Sequence, residues 1–517
     1  MHVAVLIGLL VVGFVAARSA DLLHRIRSPD MVAVAFAEGG DDGYYVFTVA
    51  RNIASGHGAT IDQVNWTTGF QPLWTFLCSL AWLVTDDRGA LAVIYAVSLV
   101  LWFAGAFFLV RLVREATGSR PAPAATAVMV ALFLCETQLG QNYINGLETG
   151  LYLTLCLVLL LAFQRHLDRP PPAASWKAAI WLGALCGTVM LARNDAVFIC
   201  AALIGVTLLA GDWKRAAREA LVIVAVASLM VAPWLAYCYW LSGELMPQSA
   251  IATSIALREV RPDLETVLRT LVMSVLPMQV VKARTIVAEH WLVLGWLVPA
   301  CVGVLIAVRR AWMPTTRRGF RLVLIGFAAG TALLVAYYVI FSRAGYFFER
   351  YFTPVKLMVA ILLSLAVARA FEGRKAVAAG QAAATVLAVM AIASNLYWIW
   401  RDYHLPFRGY MGEQAHAIVR SPYSREGLRL GIAESGRIGF LYPDRVVNLD
   451  GKMRLDVLQA LRNRKIGEFI QSNAFDYLLL HPLDIEFFDE LSPDWRRNYS
   501  AVGKLDTFDV FARTSVR

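Results

Sequence analysis

Long apolar runs separated by short polar loops fill most of the first 400 residues. A helix needs about 20 residues to cross a hydrocarbon core. Runs at 89–111, 121–137, 147–163, 176–192, 196–210, 219–240, 291–308, 321–342, 352–369 and 376–400 approach or meet that length. Met1 to Ala17 is apolar too. It lacks the basic start of a secretion signal and further spans follow, which predicts a retained first helix. Gln71 to Val84 is apolar but short. Just before it, Tyr45, Val49 and Ile53 recur at helical spacing, predicting a helix over Tyr44–Ile53. After Trp400 the runs shorten and charge rises. Leu428–Ala433, Val446–Leu449, Tyr477–Leu480 and Phe508–Ala512 read as strands, and Leu455–Asn473 as a helix. Ser435-Gly436 and Pro443-Asp444 supply turns. The pattern predicts an α-helical polytopic membrane domain over 1–400 and a small soluble α/β domain over 401–517.

Composition agrees. The 517 residues are 58% hydrophobic and 17% charged, against about 45–50% and 25% for a soluble chain. The net charge of +10 does not point to nucleic acid, because the basic residues lie between apolar runs. Arg111, Arg114, Arg120, Arg165, Arg169, Lys177, Lys214, Arg215, Arg218, Arg309, Arg310, Arg317, Arg318, Arg321, Arg369, Arg374 and Lys375 fall in alternate loops. By the positive-inside rule these loops are cytoplasmic. That places loops 19–88 and 241–290 and the C-terminal domain outside, provided 71–84 lies on the outer surface instead of crossing. About 11–13 transmembrane helices result. The expected setting is the bacterial inner membrane, with the site facing the periplasm. The seven cysteines lie in apolar segments without metal-site spacing.

Ionisable side chains near membrane depth are costly and mark function. Here they gather at one face: Asp41 and Asp42 in the first outer loop, Glu136, Glu148, the hairpin residues Arg193 and Asp195, and Glu349 with Arg350. A transporter would place such groups near the midplane on broken helices. A transporter or flippase for a lipid-linked or amphipathic solute remains the alternative class. Trp66, Phe70 and Trp74 read as interfacial aromatics. One of Asp41 and Asp42 is placed to cap the following helix. The two acids are able to bind a divalent cation, with no further ligand spaced to complete a site.

The stretch Asp41-Asp42-Gly43-Tyr44-Tyr45, then Ala50-Arg51-Asn52, Gly56-His57-Gly58 and Thr67-Thr68-Gly69-Phe70-Gln71-Pro72-Leu73-Trp74, resembles the first outer loop of the GT-C superfamily of glycosyltransferases. That superfamily includes the protein O-mannosyltransferases and the lipid A aminoarabinose transferase. Asn145–Thr149, Ala192–Asp195, Glu349–Pro354 and Val447–Gly451 resemble other recurrent points, so the likeness spans most of the chain. It implies an inverting glycosyltransferase taking its sugar from a polyprenyl-phosphate donor, with a glycan, lipid or protein as hydroxyl acceptor. It implies a base at Asp41, with Asp42 steadying the loop, and cations for the leaving phosphate. Arg350 is the first choice for the phosphate, with Lys282 and Arg193 as further candidates; Arg193 also reads as the ion-pair partner of Asp195 or Glu148. Glu148, Asp195, Glu349, Tyr44, Tyr45 and Gln71 support donor or acceptor. Some relatives carry Lys or His where this chain has Gln71, which shifts weight to Arg350 and Lys282. No cofactor is implied with certainty.

Overall fold

The structure, a computed structural model, describes residues 2–26, 40–168, 176–209, 213–256, 315–342, 348–371 and 412–514, with scattered positions between 267 and 396. Lys282, the span expected at 291–308 and most of that at 376–400 lie outside the described residues.

The helices come in the order α1 (His2–Ile26), α2 (Asp41–Ala54), α3 (Pro72–Trp82), α4 (Asp87–Thr117), α5 (Pro123–Leu134), α6 (Thr137–Ile144), α7 (Thr149–Leu167), α8 (Trp176–Ala192), α9 (Val197–Leu208), α10 (Trp213–Ser242) and α11 (Gln248–Ala256), then Arg318–Tyr337, Phe348–Tyr351 and Thr353–Ala370. Among the described residues five are long and apolar enough to cross a membrane, or six if α5 and α6 are one broken span. The chain is a mostly helical, multi-pass membrane protein with a small C-terminal sheet.

Local chemistry sets the helix ends. Asp86 accepts the Gly89 N–H at 2.8 Å and caps α4, and Gly118, at φ +70°, closes it in the left-handed region. Glu136 caps α6 through Leu139 N–H at 2.6 Å. Its other oxygen pairs with Lys356 at 2.9 Å, both side chains only 5% exposed. This ion pair ties the α5–α6 break to helix Thr353–Ala370. Helices approach closely where side chains are small: a Cβ on Gly183 would lie 2.8 Å from the Ile223 carbonyl, so α8 and α10 touch backbone to backbone.

The short apolar segment forms α3 as expected, 11 residues with Pro at its start. One flank buries Trp74, Thr75 and Cys78, while Phe76, Leu77, Leu80 and Leu83 stay exposed. The aromatics expected at the interface depart from that expectation in part: Trp66 is half exposed, but Phe70 and Trp74 are buried. Trp74 Nε1 donates to the Gly146 carbonyl at 2.9 Å, and Phe70 packs on Trp234 with ring centres 5.1 Å apart.

The C-terminal sheet runs β2-β1-β3-β5-β4, with β1 (Leu430–Ile432), β2 (Val446–Asn448), β3 (Tyr477–Leu480), β4 (Tyr499–Leu505) and β5 (Phe508–Arg513). β1 is parallel to β2 and β3, and β5 is antiparallel to β3 and β4. Leu430 faces both Val446 and Tyr477 in register. β4 escaped the sequence reading because its middle residues are exposed, so it shows no apolar alternation. The helix expected over 455–473 is two, Leu455–Arg462 and Ile466–Asn473, split where Arg464 takes φ +57°.

Candidate functional site

The large cavity, about 710 Å³, opens between α2, α8, α9, α10, α11, the helix Arg318–Tyr337, Phe348–Tyr351 and the turn after β2. Asp42, Tyr45, Gln71, Glu148, Arg193, Asp195, Arg350 and Lys452 give it a polar end. Phe70, Met190, Val197, Leu235, Ile251 and Phe341 give it apolar walls.

α2 starts at Asp41, with Gly40 as N-cap and no side-chain cap bond, so neither acid caps it as expected. Consecutive helical residues point about 100° apart, and the two carboxylates diverge. Asp41 turns away from the cavity into the C-terminal region. Its oxygens accept the backbone N–H groups of Gly436, in a short contact, and Arg437, at 2.8 Å, at the start of helix Gly436–Leu441. Burial outweighs those two donors and pushes its carboxyl up to about 7. Asp42 faces the cavity. Arg350 Nη1 lies 3.1 Å from its Oδ2 and Lys452 Nζ 3.8 Å from its Oδ1. Burial alone would raise its carboxyl, but the Lys452 and Arg350 charges win and hold it below the usual carboxylate range. Of the two acids, Asp42 lines the cavity and Asp41, the base implied by the resemblance, does not.

The tyrosines divide likewise. Tyr44 is buried against Phe440 and beneath the Arg437 guanidinium, 5.3 Å from its ring centre, and does not line the cavity. Tyr45 lines it and joins the two regions. Its hydroxyl accepts from Ser435 N–H at 2.9 Å and Asn448 Nδ2 at 2.8 Å, and donates to Asp450 at 3.2 Å.

Arg193 makes a forked pair with Asp195 at 3.0 and 2.6 Å and lies 3.5 Å from Glu148. Tyr338 adds a 2.6 Å hydrogen bond to Asp195. Arg193 is thereby committed to two acids, the ion-pair reading weighed above. Arg350 has a single carboxylate partner, Asp42; its Nη2 donates to the Tyr351 hydroxyl at 3.5 Å, and the Tyr351 ring, its centre 5.4 Å away, stacks on Tyr338 at 4.2 Å. Gln71 and Asn194 line the cavity, and Gln71 Oε1 and both polar atoms of the Asn194 side chain are buried without a hydrogen-bond partner among the described groups. Glu349 adjoins Arg350 in the segment Phe348–Tyr351. Among the described residues no three His, Cys, Asp or Glu side chains are placed to hold a metal ion.

Two residues escaped the sequence reading. Lys356 pairs with Glu136, and neither lines the cavity. Lys452 lies one position beyond the Val447–Gly451 stretch; its signal was a lysine directly after an Asp-Gly turn.

No known sequence family matches the chain, and no curated protein matches it. Solved structures do. The oligosaccharyltransferase AglB from Archaeoglobus fulgidus, solved with an inhibitory peptide and a dolichol-phosphate, has a TM-score of 0.54 at 14% identity, over 99% of this chain and 74% of that one. The Archaeoglobus fulgidus oligosaccharyltransferase in complex with Zn and sulfate gives 0.56 at 15% identity, over 99% and 73%. ArnT from Cupriavidus metallidurans in the apo state gives 0.53 at 14% identity, over 98% of both chains.

Proposed function

The chain has the GT-C fold, and from that premise we propose that it is an inverting glycosyltransferase. It moves a sugar from a polyprenyl-phosphate donor to a hydroxyl acceptor at the outer face of the membrane. The observation that carries the reading is the cavity itself: an apolar-walled chamber whose polar end holds a carboxylate, Asp42, 3.1 Å from a guanidinium, Arg350. An amphipathic donor fits such a chamber, its lipid along the apolar wall and its phosphate on Arg350. Guanidinium groups bind phosphate through paired N–H donors. Gln71 and Asn194, wall residues whose buried amide atoms have no hydrogen-bond partner among the described groups, offer hydrogen bonds to sugar hydroxyls once a small rotation turns them inward.

Chemistry follows from these positions. The acceptor oxygen attacks the anomeric carbon while its proton passes to the Asp42 carboxylate. The bond from that carbon to the phosphate oxygen breaks, and polyprenyl phosphate leaves with the electron pair. Negative charge grows on the phosphate as the bond breaks, and Arg350 stabilises it. A single displacement inverts the anomeric centre. Asp42 suits the base because it is held ionised; Asp41, with both oxygens on backbone N–H groups, supports α2 instead.

The test uses purified protein in lipid vesicles with a panel of labelled polyprenyl-phosphate monosaccharides. Release of polyprenyl phosphate that depends on an added hydroxyl acceptor is the expected result. Movement of intact donor across the vesicle membrane without cleavage would overturn the reading in favour of a flippase. Mass spectrometry of lipids and polysaccharides from cells with and without the protein then identifies the sugar and the acceptor.

A further inference from the structure

The turn after β2 brings the far end of the chain into the cavity. Gly451, at φ +73°, reverses the backbone and returns Lys452 over α2. Two elements of the membrane domain hold the turn. Gln248 Nε2 donates to the Gly451 carbonyl at 3.0 Å, and Gly69 lies so close that a Cβ there would sit 2.2 Å from the Lys452 carbonyl. The Lys452 ammonium lies 3.8 Å from Asp42, 3.6 Å from Asp450 and 3.9 Å from Glu434.

We propose that Lys452 is a positioning residue for Asp42, supplied by the C-terminal region, which keeps that carboxylate ionised and turned into the cavity while Arg350 serves the donor phosphate. The proposal rests on the reading of Asp42 as the base. Two cations flank Asp42, one on each oxygen. A lipid phosphate competes for Arg350 and draws it from Oδ2. Lys452, approaching Oδ1 from the opposite region, is tethered by its own turn and remains. At 3.8 Å, beyond ordinary hydrogen-bond length, its charge acts without occupying the lone pair that receives the acceptor proton. The other groups facing Asp42 do not replace it. Asp41 neighbours it on α2 and is acidic, Asp450 and Glu434 stand behind Lys452, and across the cavity Glu148 and Arg193 are paired with each other. Without Lys452 the surroundings are dominated by acids, and Asp42 takes up a proton at higher pH.

The experiment measures the pH dependence of sugar transfer for the whole protein, with Lys452→Met and Lys452→Arg beside it. Lys452→Met is expected to move the acid limb of kcat upward by roughly 1–3 pH units, the range for losing an opposite charge at this distance, with KM for the donor little changed. Lys452→Arg is expected to restore the wild-type limb. An unmoved limb in folded Lys452→Met, whatever its rate, overturns the proposal. If Met disrupts folding, Lys452→Gln, which keeps an N–H donor, is measured the same way. Infrared titration of the Asp42 carboxylate with sugar-free polyprenyl phosphate bound, taken as the difference from Asp42→Asn, reads the same shift without turnover. Absence of transfer by the wild type would sink the glycosyltransferase reading alone, and the infrared shift would still decide on Lys452.

Discussion

Replacing the two adjacent acids of α2 one at a time separates chemistry from support. Asp42→Asn keeps the side-chain shape but removes the proton acceptor. Loss of a positioned general base costs about 10²–10⁴ in rate. Its ion pairs are part-exposed, with 29% of the side chain open to solvent, so the stability cost stays below about 1 kcal/mol. Asp41→Asn does the opposite. The amide retains one acceptor for the N–H groups of Gly436 and Arg437 and turns a donor toward the other. One buried N–H left unpaired costs about 1–3 kcal/mol, enough to lower the melting temperature by a few degrees, while transfer stays within about tenfold of wild type. The pH dependence of stability gives a second signature. Burial raises the Asp41 carboxyl from 3.8 to about 7 in the folded protein. Between those values the folded chain holds a proton that the unfolded chain has released, so stability falls as pH rises through this window and levels off above about 7. Asp41→Asn should flatten that slope. The assays are transfer rate and thermal melting between pH 4 and 8, in detergent. A folded Asp41→Asn protein without activity, beside Asp42→Asn at near wild-type rate, would refute the assignment.

Arg350→Ala should weaken binding of sugar-free polyprenyl phosphate about 10- to 100-fold, the worth of a charge-assisted hydrogen bond. Arg350→Lys should recover part of it by keeping the charge without the planar fork; unchanged binding by isothermal calorimetry would remove Arg350 from the site. Lys356→Met leaves Glu136 charged and buried, and should lower stability by about 3–5 kcal/mol. Adding Glu136→Gln should restore most of that loss in thermal melts, since the amide oxygen still accepts from Leu139; no recovery would count against the pair as the cause. For orientation, the cysteines in the described residues are all buried, which gives a low labelling background. Ser472→Cys should react with an impermeant thiol reagent from outside the cell and Thr315→Cys should not; the opposite pattern overturns the outward-facing site.

Hydrophobic pattern alone marked where helices α3, α4, α7, α8, α9 and α10 run, and where β1, β2, β3 and β5 fall. It could do so because membrane and core burial both select apolar residues at fixed periods. The strand β4 and the break at Arg464 were invisible for the same reason, since neither alters the burial pattern. The acidic first loop, Arg193, Asp195, Glu148 and Arg350 were legible as a set because charge beside a membrane is conspicuous. Their division of labour was not. Which of Asp41 and Asp42 faces the cavity depends on where Gly436 and Arg437 dock, and docking is a property of packing between the ends of the chain. Lys452 reaches Asp42 only because Gly451 turns the backbone and Gly69 leaves room for the turn to settle. A linear sequence records which residues avoid water and which carry charge. The direction of a side chain, and the distant charge that tunes it, arise only when surfaces far apart in the chain close on one another.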